Sequence, residues 1–90
     1  VGKNPNGSPY RGTMTLSTLS NTTFAVQWKI GRAIYKGFGM RMNNALSATY
    51  MLNGQPGLIM YELEAGGRLS GIWSIRGMNG NGSEVLTPAN

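Results

Sequence analysis

Hydrophobic and polar residues alternate through most of this chain, in short segments separated by glycine or asparagine. The clearest segment is residues 24–30 (FAVQWKI), where Phe24, Val26, Trp28 and Ile30 stand at every second position. Successive side chains of a β-strand point to opposite faces, so this spacing predicts a strand with one buried face. Gly and Asn at the breaks favour tight turns between strands. The pattern therefore predicts an all-β protein.

The same alternation predicts up to seven strands. Each predicted strand ends at a turn signal, and together they cover residues 10–17, 24–30, 34–42, 46–52, 58–63, 69–75 and 83–87. No apolar spacing near 3.6 residues occurs, so we expect almost no helix. Short turns join antiparallel neighbours. We therefore predict an antiparallel up-and-down meander of six to seven strands that forms a barrel or a half-barrel.

The first nine residues lack this alternation. Residues 1–9 (VGKNPNGSP) contain two prolines, two glycines and two asparagines without periodicity, which is typical of an extended or turn-rich segment. Ninety residues suffice for a single core. We predict an extended N-terminal segment over 1–9, followed by a single β domain over 10–88.

Two predicted strands carry further information. Gly37 and Gly39 share one face of the third strand, which favours a bend or a large ring on a neighbouring strand, and we expect Trp28 or Tyr50 to lie across them. Residues 58–63 (LIMYEL) are apolar on both faces at their start. This favours the central position in the sheet, or contact with another subunit.

The strand number also bears on assembly. Closed barrels of this type usually need about eight strands, so seven short strands would leave one edge open. An open edge presents unpaired backbone groups that can pair with another chain. We therefore expect a homodimer in which this edge pairs across a two-fold axis.

The composition excludes most catalytic chemistry. The chain has no Cys, His or Asp, so it cannot form the common nucleophilic triads or Cys and His metal sites. Glu62 and Glu64 lie about 6–7 Å apart along one strand face, a spacing that overlaps the carboxylate separation of glycosidases. An exposed acidic pair flanked by cross-strand Arg or Lys is the favoured interpretation, and a weak calcium site is an alternative. We predict no enzyme activity, no catalytic residue, no metal site and no cofactor.

The net charge of +5 suits acidic partners such as nucleic acid, anionic lipid or acidic polysaccharide. The basic residues are scattered singly. Neighbours on a strand face opposite ways, so an inward Trp28 places Lys29 outward, and a stacking platform for nucleic acid is disfavoured. No apolar run approaches the roughly 20 residues that span a bilayer, so we expect no transmembrane segment and a soluble chain. The predicted basic surface comprises Arg11, Lys29, Arg32, Arg68 and Arg76.

The inward aromatic residues allow two interpretations. They can fill the core, or they can line a cavity for an apolar ligand, as in small barrels. Core packing is favoured because so short a chain must fill its own interior. The residues concerned are Trp28, Tyr35, Tyr50, Tyr61 and Trp73.

Motifs along nearly the whole chain resemble a family of small exported bacterial β proteins. They include NPNGSPYRGTMTL, FAVQWKIG, YKGFGM, ALSATY, GLIMYELEAGGRLSGIWS and GSEVLTP. Some members of that family are labelled fibronectin-binding. The resemblance implies an exported, non-enzymatic module, periplasmic or extracellular, and a chain that starts at Val1 without an initiator Met agrees with export. The meander is also similar to avidin-type and lipocalin-type barrels, in architecture alone.

One acidic residue of these motifs lies apart from Glu62 and Glu64. Glu84 lies near the closing strand, and we expect it to form a salt bridge with Arg68, Arg76 or Arg11. The function we predict is a non-enzymatic exported module that binds a protein or cell-envelope partner through its outer face and loops. The alternatives are a carrier of a small apolar ligand in the barrel interior and a basic nucleic-acid-binding module.

Overall fold

The computed structural model describes residues 1–88 and consists of one antiparallel sheet of nine strands curled into a half-barrel. A short 3-10 turn at Ala65–Gly67 is the one helical element in this range. The strands are β1 (Gly2–Lys3), β2 (Pro9–Tyr10), β3 (Thr13–Thr18), β4 (Thr23–Ile30), β5 (Ala33–Met42), β6 (Ala45–Leu52), β7 (Gln55–Leu63), β8 (Leu69–Ile75) and β9 (Gly82–Leu86). None of the helical structure in residues 1–88 is long and apolar enough to cross a membrane.

The predicted all-β antiparallel meander, its half-barrel form and its near-absence of helix are confirmed, but the predicted count of six to seven strands is wrong. The additional strands are β1 and β2, which lie at the N-terminal end of the chain. Gly2 pairs with Glu84 of β9 on one side and with Tyr10 of β2 on the other. Two residues are too few to show an alternating pattern, and Pro, Gly and Asn surround both strands. These strands can therefore be recognised only from their pairing in the folded sheet.

The sheet leaves one gap in the barrel wall. Its strand order is β2-β1-β9-β8-β7-β6-β5-β4-β3, so β2 and β3 are the two edges. The chain passes from one edge to the other through Arg11 and Gly12. Pairing on β3 involves β4 alone among the residues described. The half-barrel is therefore open between β3 and the opposite side of the sheet, where β9 extends beyond the two-residue strands β1 and β2.

The central position predicted for residues 58–63 is confirmed. These residues belong to β7, which is the fifth of the nine strands in the sheet. Ile59 and Tyr61 point inward and are buried, whereas Leu58 and Met60 point outward and are more than half exposed. The apolar character of both faces thus has two causes, since one face forms the core and the other forms an exposed apolar surface.

Most of the large rings inside the half-barrel lie directly opposite a glycine on the next strand. A Cβ atom added to Gly39 would meet the Phe24 ring at 2.6 Å, far inside van der Waals contact. Such cross-strand pairs let a ring lie flat on the neighbouring backbone. The pairs are Tyr10–Gly2, Phe24–Gly39, Tyr50–Gly57, Tyr61–Gly71 and Trp73–Gly82.

The prediction that Trp28 or Tyr50 lies across Gly37 and Gly39 is confirmed for one of the two glycines. Trp28 lies over Gly37, but Phe24 occupies the space above Gly39. Tyr50 pairs with both Gly37 and Gly57, and its ring lies over Gly57 on β7. The two glycines of β5 therefore accommodate two adjacent rings of β4, and β5 turns its other face, with its larger side chains, to solvent.

Candidate functional site

The site is built around a carboxylate in the interior of the half-barrel. Glu84 lies on β9 and is only 6% exposed. Strand alternation turns it inward together with Gly82, while Ser83 and Val85 point outward. The predicted salt bridge to Arg68, Arg76 or Arg11 is wrong, because the partners of Glu84 are two phenol groups.

Two tyrosines bind the carboxylate, and each tyrosine is bound in turn by a tryptophan. Tyr10 donates its hydroxyl to Glu84 Oε1 at 2.8 Å, and Tyr61 donates its hydroxyl to Glu84 Oε2 in a short hydrogen bond. The indole N–H of Trp73 donates to the Tyr10 oxygen, and that of Trp28 donates to the Tyr61 oxygen, both at 2.9 Å. Within residues 1–88 no buried side-chain nitrogen or oxygen lacks a partner. Each phenol thus accepts one bond and donates one, an arrangement in which the bonds polarise one another.

Burial and the carboxylate keep these phenols protonated. Burial, reinforced by the negative charge of Glu84, raises the pKa of Tyr10 and of Tyr61 well above the ordinary tyrosine value. The same causes, in the same order, raise the pKa of Tyr50 to about 12. All three hydroxyls therefore remain hydrogen-bond donors through the neutral pH range.

A cavity of about 230 Å³ lies beside the carboxylate. Its walls are mainly aromatic rings and aliphatic side chains. Ile30, Leu52 and Met78 line it at one end of the half-barrel, next to turns 31–32 and 53–54 and loop 76–81. The cavity opens toward that end. The lining residues are Asn4, Tyr10, Trp28, Ile30, Tyr35, Tyr50, Leu52, Ile59, Trp73, Ile75, Met78 and Glu84.

The structure brings the five predicted aromatic residues together in the interior. Four of them, Trp28, Tyr35, Tyr50 and Trp73, line the cavity. The fifth, Tyr61, is buried and reaches the cavity wall through its bond to Glu84. Trp28 and Tyr50 meet edge to face, with ring centroids 5.2 Å apart, so their mutual orientation is fixed by packing.

Sequence reasoning missed the two residues that complete the site. Tyr10 was assigned to the start of a long first strand, although it belongs to β2 and pairs with Gly2. Glu84 was treated as a surface charge. A signal for Glu84 was available, because it shares its alternation with Gly82 and Leu86, so the strand that holds it turns the carboxylate toward the apolar face.

The predicted basic residues lie on the surface and do not converge. Arg11, Lys29, Arg32, Arg68 and Arg76 are all exposed. Arg32 and Arg76 follow strands at the cavity end of the half-barrel, whereas Arg68 lies in the turn after β7, at the opposite end. Lys29 is the one of these five residues that lies on a strand, and it faces away from the interior rings, so ring and cation do not share a face there.

The two acidic residues at the end of β7, Glu62 and Glu64, have different surroundings. Glu62 is exposed, and Glu64 accepts a hydrogen bond from Arg68 Nε at 2.8 Å. This bond, with a second from Ser70, holds the pKa of Glu64 below its usual value. The sequence predicts an exposed pair with cross-strand Arg or Lys, whereas Arg68 lies four residues after Glu64 along the chain and Glu62 has Ala45 and Ser70 as its cross-strand neighbours. In residues 1–88 no three His, Cys, Asp or Glu side chains come together as metal ligands would.

Replacing Tyr61 tests whether the network stabilises the fold. Tyr61→Phe leaves the Trp28 indole N–H without an acceptor and removes one donor from Glu84. Since an unsatisfied buried polar group costs about 1–3 kcal/mol, we expect the free energy of unfolding to fall by at least about 2 kcal/mol in urea titrations. Tyr35→Phe is the control, because the Tyr35 hydroxyl bonds to none of the residues described, and a change within about 0.5 kcal/mol is expected. Equal effects of the two substitutions would contradict a stabilising role for the network.

The raised tyrosine pKa values predict a loss of stability at high pH. In the unfolded chain tyrosines lose their protons near pH 10.0, while folded Tyr50 keeps its proton to about pH 12 and folded Tyr10 and Tyr61 keep theirs longer. The unfolded state therefore binds fewer protons above pH 10, and the free energy of unfolding should fall as the pH rises from there. Urea titrations across this range measure the slope. A stability that stays level between about pH 10 and 12 would be the contrary result.

Comparison of the chain with protein-family models, with curated proteins and with solved structures gives no match. The inference of function therefore rests on the geometry of the site.

Proposed function

We propose that this protein is a non-enzymatic binding module that holds a small, largely apolar ligand inside its half-barrel. The observation that carries the proposal is an open cavity of about 230 Å³ with aromatic walls, beside a buried carboxylate that two tyrosine hydroxyls hold in place. Concave, mainly apolar sites with a few placed polar groups are typical of small-molecule binding. Export to the periplasm or the cell exterior stays a prediction that rests on the family resemblance.

The volume limits the size of the ligand. A buried apolar cavity of ~150 Å³ is enough to admit benzene, and drug-sized ligands occupy sites of about 300–1,000 Å³. A cavity of about 230 Å³ lies between these values, so it suits a molecule with one ring or two fused rings. The open end lets such a molecule enter without separation of the strands.

The walls are held in place before any ligand arrives. Trp73 and Tyr50 lie against glycines of the neighbouring strands, and the indole N–H groups of Trp28 and Trp73 are fixed by their hydrogen bonds. Side chains that are already ordered lose little entropy on binding, which favours affinity.

Filling the cavity tests this function. Leu52 lines the cavity near its mouth, and its neighbour Met51 points outward and is 58% exposed. In Leu52→Trp the added ring occupies ligand space, so we expect the affinity for naphthalene, followed by the probe's own fluorescence, to fall at least about tenfold, or about 1.4 kcal/mol. Met51→Trp adds the same ring on the outer face and should leave the affinity unchanged. Naphthalene that does not bind the wild type, or that binds both variants equally, would exclude the cavity as its site.

A second candidate function, association through the outer face, is favoured by one further observation. Five large apolar side chains of β5, β7 and β8 are each more than half exposed, and they lie in two adjacent cross-strand rows. Monomeric proteins rarely expose continuous apolar surface of this kind. The residues are Phe38, Met40, Leu58, Met60 and Ile72.

The partner we propose for this outer apolar face is a second copy of the chain. The positions between the apolar residues are Ser47, Thr49 and Ser74, so the two rows contain no charge. Each copy carries a net charge of +5, and an uncharged face allows two copies to meet without bringing like charges together. The homodimer predicted from the sequence would then use this face, whereas the free edge of β3 is the alternative.

Light scattering across a dilution series tests the assembly. We expect the wild type to have the mass of a dimer, and Met60→Lys to have that of a monomer, because a charge placed in the interface remains unpaired. Thr15→Lys adds the same charge at an exposed position of β3 and should remain dimeric. A monomeric wild type would refute the dimer. Dissociation by Thr15→Lys alone would assign the interface to the β3 edge instead.

A further inference from the structure

We propose that the ligand of the cavity carries a protonated amine, and that this ammonium group binds Glu84 while the apolar body of the ligand lies among the rings. The inference rests on the proposed function and specifies the chemical class of the ligand. It is argued from the charge of the lining, from the free acceptor positions of the carboxylate and from the aromatic surface around it.

Glu84 is the single charged side chain among the lining residues. Neither Arg nor Lys comes within salt-bridge distance of it in residues 1–88, where the one ion pair joins Arg68 to Glu64. A buried carboxylate without a cation near it is costly, and its phenol partners are neutral. A ligand with a positive charge supplies the compensation that the protein itself lacks.

The carboxylate keeps acceptor capacity for such a ligand. A carboxylate offers about four acceptor positions, and the phenols of Tyr10 and Tyr61 occupy one on each oxygen. The two phenol oxygens each accept an indole N–H already, so a donor on the ligand finds its strongest remaining acceptor at Glu84 itself. An ammonium group has three donors and no acceptor, which matches this need.

The rings around the carboxylate favour the same class of ligand. Trp28, Trp73, Tyr35 and Tyr50 line the cavity, and the negative faces of aromatic rings attract cations. No Lys or Arg side chain that would hold an anion lies in the lining. The side-chain amide of Asn4 already donates to Ser8, so the neutral hydroxyls of Tyr35 and Tyr50 are the donors left there. The cavity should therefore prefer a cation to a neutral analogue, and reject an anion.

Three probes of similar size separate these possibilities. Phenethylammonium is the cation, phenethyl alcohol is the neutral analogue and hydrocinnamate is the anion, and each is titrated into the wild-type protein by calorimetry. A constant moderate salt concentration screens the repulsion between the cation and the net charge of +5. Because a hydrogen bond to a charged group is stronger than one between neutral groups, we expect phenethylammonium to bind at least about tenfold more tightly than the alcohol. Hydrocinnamate should not bind.

Two variants assign the preference to Glu84. In Glu84→Gln the shape is kept and the charge is lost, so the preference for the cation should disappear while the alcohol still binds. Glu62→Gln removes the same charge from an exposed site and should preserve the preference. If Glu84→Gln fails to fold, the order of affinities of the three probes for the wild type still tests the amine proposal.

The possible failures are distinct. Alcohol binding as tightly as phenethylammonium would overturn the amine proposal and leave the carboxylate with a structural role, while the proposed function would stand. The absence of binding by all three probes and by naphthalene would overturn both. A preference for the cation that survives Glu84→Gln would place the cation elsewhere and refute the role of this carboxylate.

Discussion

The contact between an aromatic ring and a glycine on the next strand is the constraint on which this half-barrel depends. Such a ring lies flat against the neighbouring strand only where the opposite residue lacks a Cβ, because a Cβ there would clash with it. Five such pairs run around the sheet, and the two at Tyr10 and Trp73 bring the N-terminal strands and β9 into it. Because each ring occupies the space above a glycine rather than the centre of the interior, part of that centre stays open. The cavity therefore results from the packing of the rings against these glycines.

The hydrogen-bond network of Glu84 depends on the same contacts between rings and glycines. Tyr10 and Tyr61 each lie over a glycine, and this places their hydroxyls on the two oxygens of one carboxylate. A buried carboxylate alone would cost several kcal/mol, and two phenol donors, each polarised by an indole N–H, offset much of that cost. The network also links β2, β4, β7, β8 and β9, which are not all neighbours in the sheet. The bonds across the interior thus hold together a wall that has no continuous closure between β3 and β9.

Sequence alternation was sufficient for the main strands and insufficient for the site. It located the buried faces of β4, β6 and β8 and the central position of β7, because these depend on the local period of two. It did not reveal β1 and β2, because β1 pairs with β9, far away in the chain, and β2 joins the sheet only through β1. Glu84 was misjudged for a related reason. The role of an inward carboxylate can be predicted only if the phenol groups that bind it are known. Those phenols come from β2 and β7, and no local sequence pattern connects these strands to β9.

The two faces of β5 and β7 show how one set of strands can serve two kinds of binding. Inward, small residues beside rings create a concave apolar surface with one carboxylate. Outward, Phe38, Met40, Leu58 and Met60 form a surface without charge or depth. A concave surface with a placed polar group discriminates among small molecules, whereas an uncharged, exposed sheet face suits a large and complementary partner. Since strand alternation separates the two surfaces completely, a substitution on the outer face can change assembly without altering the cavity, and the converse holds for substitutions inside.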